Sequence, residues 1–187
     1  MRHAGSTWAG AGTLRAARDL PGGGPSRPAS HDAGGPARAV ADDAPLEVLL
    51  LERDPQTAAL IMHGMEACGV VHRIHWSQDA EAANAAVFGL RGFASRQADE
   101  RLRLVLLGLG SSVIEDALAI LRRLKTDART LPTPVVVVAG AGAEGGFERS
   151  RAMGANGTVR LSAEADALTE QAARLGRYWL GLNRAPR

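Results

Sequence analysis

A chain of 187 residues suits one domain with an appendage, and 45% hydrophobic with 22% charged residues is ordinary for a globular fold. The formal charge of +2 creates no field strong enough to demand nucleic acid or an anionic membrane. Cys68 is the only cysteine, which excludes an intramolecular disulfide and fits a reducing compartment. No secretory signal follows Arg2 and His3, and no apolar run nears the ~20 residues that span a bilayer, so the expectation is a cytoplasmic protein.

Residues 1–45 read as a disordered N-terminal tail. Pro21-Gly22-Gly23-Gly24-Pro25, Pro28 and Gly34-Gly35-Pro36 interrupt it, and no apolar period is sustained. Either this is a flexible interaction arm, or translation begins further along, near Val40. At Leu46 the texture changes. Leu46 to Leu51 is a short, nearly continuous apolar run, as expected of a strand buried on both faces. Asp54-Pro55 supplies a helix N-cap with proline at the first helical position. Ala58, Ile61, Met65 and Cys68 follow at helical spacing, and Gly69 stands where a C-terminal glycine cap belongs.

The unit then repeats. Val70 to Trp76 reads as a strand, Asp79 caps an alanine-rich helix to about Leu90, and Gly92 to Arg101 is a polar loop. Leu102 to Leu107 is a buried strand, followed by a helix from Val113 to Lys125. Thr133-Pro134 leads into the strand Val135-Val136-Val137-Val138, then a short helix from Glu144 to Met153. Thr158 to Leu161 is the fifth strand, and Ser162 caps a last helix striped by Leu168, Ala172, Leu175, Trp179 and Leu182.

Five βα units imply a doubly wound α/β domain over residues 46–183, a flavodoxin-like parallel sheet in the order 2-1-3-4-5, with 184–187 as a short C-terminal tail. Ligands in such folds bind beyond the C-terminal strand ends, here Glu52–Asp54, Gly108–Ser112 and Ala139–Gly142.

Leu49-Leu50-Leu51-Glu52-Arg53-Asp54-Pro55, Leu121-Arg122-Arg123-Leu124-Lys125, Pro134 with its four valines, and Met153-Gly154-Ala155-Asn156-Gly157 stand in the order found in CheY-like receiver domains, which this segment resembles. Tyr178-Trp179-Leu180 is similar to the aromatic ending of small regulators that work with phytochrome kinases. The resemblance implies an aspartate nucleophile after the third strand and acidic residues after the first that hold Mg²⁺. It also implies a Ser or Thr after the fourth strand and a Lys after the fifth that grip the phosphoryl oxygens.

This chain departs at those positions. The phosphoacceptor position falls on Gly108, the acidic pair on Glu52 and Arg53, the hydroxyl on Ala139 and the lysine on Leu161. Lys125, the only lysine, ends the third helix, and Arg160 lies one residue away on the opposite strand face. Arg53 either sits near Glu52 and Asp54 in place of a cation or is a solvated loop charge.

Other signals read as structural. Gly140-Ala141-Gly142-Ala143-Glu144-Gly145 fits a dinucleotide turn but follows the fourth strand rather than the first. Gly108-Leu109-Gly110-Ser111-Ser112 is a weaker anion-nest pattern. His72 and His75 face opposite sides of a strand, His63 stands alone, and Arg122, Arg123, Lys125 and Arg129 suit a solvated helix end.

The expected function is a pseudo-receiver of two-component phosphorelay signalling: no enzyme, with no cofactor and no metal. It would act by binding protein, a histidine kinase or phytochrome, and pair as a homodimer through Tyr178, Trp179 and Leu182, with neither nucleic acid nor membrane as partner. The alternative is a small nucleotide- or phosphate-binding protein using Gly140–Gly145.

Overall fold

Aliphatic strands buried on both faces can only be satisfied by helices above and below a sheet, and that is the observed arrangement. The computed structural model describes residues 13–14, 46–89, 102–110 and 114–182. Five parallel strands, β1 (Leu46–Leu51), β2 (His72–Ser77), β3 (Leu102–Gly108), β4 (Val135–Ala139) and β5 (Gly157–Arg160), lie in the order 2-1-3-4-5. Between and after them come α1 (Pro55–Glu66), α2 (Ala80–Phe88), α3 (Ile114–Thr126), α4 (Glu144–Ala152) and α5 (Ala165–Gly176).

Alternate residues of the central strands feed two separate cores. Leu49, Leu51, Val105, Leu107, Val135 and Val137 pack with Ala83 and Val87 of α2 and Leu118, Leu121 and Leu124 of α3. Val48, Leu50, Leu104, Leu106, Val136 and Val138 pack with Ala58, Ile61 and Met65 of α1 and Leu168 and Ala172 of α5. Each fully buried Leu or Val contributes about 1.5–3 kcal/mol over an exposed one, so the sheet centre dominates stability.

Small residues let α1 and α5 touch backbone to backbone. A Cβ on Gly64 would collide with the carbonyl oxygen of Thr169 and lie 2.7 Å from Ala172 Cβ. At the other end of the contact, a Cβ on Gly176 would lie 2.6 Å from Cys68 Cβ, so the free, buried Cys68 is a packing residue. Gly69, just past α1, has a φ of 81°, the left-handed turn expected there.

Several boundaries differ from the sequence reading. The cap of α5 is Glu164, not Ser162, whose Oγ instead accepts from the Glu164 N–H at 3.1 Å. Beyond Gly176 the helix widens into a π-helical turn, Arg177–Leu182. That change of winding rotates Leu180, only 2% exposed, into the core and leaves Tyr178 54% exposed. Leu168, Ala172, Leu175 and Trp179 of the expected stripe do pack in or against that core, with Leu180 added to them.

Within residues 1–45, Thr13–Leu14 adds antiparallel to the outer edge of β2, and the rest of that expected tail lies outside the described residues. So do the polar loop of residues 92–101 and residues 184–187. Among the described residues, no helix is long and apolar enough to cross a membrane.

Candidate functional site

Parallel pairing brings the singled-out positions to one end of the sheet. Leu51 is in register with Leu107, which sets Glu52 beside Gly108, and Gly108 is in register with Val138. The N–H of Leu109 donates to the Val138 carbonyl at 2.8 Å, and that of Leu161 to the Ala139 carbonyl at 2.7 Å. Glu52, Gly108, Ala139 and Leu161 thus line adjacent strand ends. Arg53 is exposed beside them.

Glu52 is the organising side chain. Its N–H donates to the Ser77 carbonyl at 3.1 Å, and its own carbonyl accepts from Trp76 Nε1 at 2.8 Å, which fixes the backbone. Oε1 accepts from the Asp54 N–H at 2.9 Å. A Cβ on Gly108 would run into Glu52 Oε2 and lie 2.9 Å from the Leu51 carbonyl oxygen. The carboxylate therefore fills the space that a Gly108 side chain would need. Burial pushes the Glu52 carboxyl above its ordinary range, with the Asp54 charge adding to the rise and the N–H groups of Asp54 and Arg53 opposing it.

Asp54 is committed elsewhere. It caps α1, with Oδ2 accepting from the Thr57 N–H at 2.8 Å and the Thr57 hydroxyl at 2.6 Å, and these bonds hold its carboxyl below the usual range. The site does not fit a divalent cation in the receiver manner. One Glu52 oxygen is already engaged by Asp54, Asp54 caps a helix, and Gly108 offers no donor. Among the described residues, no three His, Cys, Asp or Glu side chains are grouped to hold a metal.

Ala139 and Leu161, 4% and 7% exposed, close the remaining wall with hydrocarbon. Arg160 turns away from it and pairs with Glu144 at the start of α4. Lys125 is at the opposite end of the sheet. Its Nζ donates to the Thr133 carbonyl and to Asn156 Oδ1, both at 2.8 Å, and desolvation lowers its pKa.

In the glycine turn Gly140–Gly145, Gly142 has a φ of 83°, which favours glycine there, while a Cβ at Gly140, Gly142 or Gly145 would meet open space. The close approach is at the next residue, Gly146 of α4, where a Cβ would stand 2.8 Å from Leu109 Cδ1. The first turn of α4 also carries Glu144, a carboxylate where an incoming phosphate would lie. Ser111 and Ser112 lie outside the described residues.

Of the basic helix-end residues, Arg123 stacks 4.0 Å over Phe88, and Arg129 makes bonds of 3.0 and 2.6 Å to Asp127, whose carboxyl is held at about 2. His75 Nε2 lies 2.7 Å from Glu47 Oε2, His72 Nδ1 lies 2.7 Å from the Val70 carbonyl, and His63 is exposed. Tyr178 and Trp179 meet edge-on at 5.1 Å, beside a groove of about 310 Å³ formed with Val159, Gln171, Arg174 and Leu175. The side chain of Leu182 lies outside the described residues.

Solved structures share this architecture. The phosphorylated cyanobacterial phytochrome response regulator RcpA superposes with a TM-score of 0.66 at 23% identity, over 77% of this chain and 100% of its own. The fold is that of a response-regulator receiver domain. The Mn²⁺-bound response regulator Rcp1 gives 0.62 at 21% identity, over 76% of this chain and 100% of its own. A response regulator receiver domain from Rhodospirillum rubrum gives 0.64 at 23%, over 75% and 97%. No family model matches the chain, and no curated protein matches it by sequence.

What the sequence reading missed in this receiver fold is Glu52's second role. Its acidic character was legible, but its occupation of the Gly108 space depends on two strands approaching across the sheet.

Proposed function

We propose that this protein is a pseudo-receiver: a response-regulator-like member of two-component signalling that lacks the phosphoacceptor aspartate and works by binding protein partners. The observation that carries this reading is the Glu52 carboxylate standing in the space beside Gly108. Aspartyl phosphorylation needs a carboxylate nucleophile, a cation to offset charge on the phosphoryl group, and donors around its oxygens. With Gly108 at the acceptor position, Ala139 and Leu161 at the donor positions and both nearby carboxylates engaged, the pocket supplies none of the three. The protein is then no phosphoryl-transfer enzyme, takes no Mg²⁺ at this site, and presents one surface constitutively.

In this reading residues 46–183 are the signalling domain of a cytoplasmic protein. RcpA is a phytochrome response regulator, which supports a histidine kinase or phytochrome as the protein partner. The exposed Tyr178, the half-buried Trp179 and the groove beside them suit a homodimer contact, since aromatics bury large area at little entropy cost.

The test is incubation with acetyl phosphate and Mg²⁺, read by intact mass. The expected outcome is no phosphoryl adduct on the natural chain and none on Gly108→Asp, where Arg53, Ala139 and Leu161 remain. A stoichiometric adduct on the natural chain overturns the proposal.

A further inference from the structure

Among the five parallel strands β2 stands at an edge, and an uncovered edge presents unpaired N–H and C=O groups that another strand can take. In this molecule Thr13 pairs antiparallel with His75, and Leu14 with Ile74. A second feature adjoins that contact. Met62, Glu66, Val70, Val71, His72 and Ile74 line a groove of about 240 Å³ at the start of β2. Its rim residue Val71 is 72% exposed, the most exposed large hydrophobic residue among those described.

Direction connects the two. As the arm advances from Thr13 to Leu14 its partner falls from His75 to Ile74, so the pairing points toward His72, Val71 and the groove. The sequence after Leu14 is Arg15-Ala16-Ala17-Arg18, small apolar residues between two cations, and the exposed Glu66 stands on the groove's wall. We infer that the β2 edge and this groove form a docking site for the chain's own N-terminal arm, bound in cis and covering an edge that would otherwise accept a foreign strand. Thirty-one residues separate Leu14 from Leu46, ample chain to return from that edge to the start of β1.

The test is hydrogen exchange by mass spectrometry on peptides spanning residues 70–77, in the full chain, in Leu14→Pro and in a chain beginning at Pro45. Proline removes a backbone donor and disfavours continued pairing, yet is inert in an unbound segment. The expected result is exchange roughly tenfold or more faster in β2 for both variants, with β3 and β4 peptides unchanged. Protection in the full chain should be the same at low and high protein concentration. Equal exchange in the full chain and in Leu14→Pro overturns the inference, and so does protection that grows with concentration, which would mean pairing between copies. If the truncated chain loses protection in β3 as well, it has not folded, and Leu14→Pro decides alone.

Discussion

Glu52 and Gly108 share one space: the carboxylate of the first occupies the volume that any side chain on the second would need, with the Leu51 carbonyl oxygen 2.9 Å from the same point. Because the obstruction includes backbone, substitution at Gly108 must strain the sheet end as well as move a side chain. Gly108→Ala is expected to cost about 1–3 kcal/mol in urea unfolding. In a Glu52→Ala background the same change should cost less, though not nothing, because the Leu51 carbonyl stays. Equal costs in both backgrounds would show that the two residues do not compete for this space.

Glu52 also sets a pH dependence whose sign is fixed. Its carboxyl is raised from 4.5 mainly by burial, so the folded state holds the proton more tightly than the unfolded one. The stabilisation from that proton is complete below the ordinary carboxylate value and is lost as pH rises through the folded value. Glu52→Gln keeps an acceptor for the Asp54 N–H without the charge. It should remove that decline, gaining on the parent from about pH 4 to neutrality in chemical denaturation. A constant difference across that range would contradict the assignment.

Asn156 ties the other end of the sheet. Its Oδ1 accepts from the Val135 N–H at 2.9 Å and from Lys125 Nζ at 2.8 Å, and its N–H donates to the Val135 carbonyl at 2.8 Å. Asn156→Ala keeps only the last of these and leaves a strand N–H and an ammonium without this acceptor. The expected loss is about 2–3 kcal/mol, read by thermal or urea unfolding. A loss under about 0.5 kcal/mol, the range of ordinary surface changes, would mean solvent replaces the amide freely.

Tyr178 separates assembly from folding better than its neighbour. Trp179 packs against the α1–α5 core, and its Cζ2 would lie 3.4 Å from a Cβ on Gly157, so its removal disturbs the fold. Tyr178 is 54% exposed. Tyr178→Ser should shift a dimer to monomer in sedimentation velocity with circular dichroism unchanged. A natural chain that is monomeric at high micromolar concentration would remove the dimer from the proposal.

The sheet was readable because its central residues are buried on both faces, so Val48–Leu51 and Val135–Val138 are unbroken apolar runs, followed by Asp54-Pro55 and preceded by Thr133-Pro134 respectively. Gly108, Ala139 and Leu161 lie at adjacent strand ends because each follows or ends a strand of one parallel sheet, where all strands point the same way. The π-helical turn was not legible, since one wider turn leaves no residue-type signature, and Leu180 entered the core unannounced. Ser162 and Glu164 are both polar residues before the same helix, and only backbone geometry distinguishes the cap. Thr13–Leu14 is two residues long, too short for any periodicity.

Lys125 carries the chain's only side-chain amine, and its three nearest acceptors are the Thr133 carbonyl, Asn156 Oδ1 and, at 3.5 Å, the Leu131 carbonyl. Acylating reagents that tag most proteins at many lysines would here find one half-buried lysine. Coupling a dye or a solid support through that amine should therefore place it at the end of the sheet away from Glu52 and Gly108. The receiver-like face of the molecule would be left uniformly presented, and a wash-in of candidate partners would meet every copy in the same orientation.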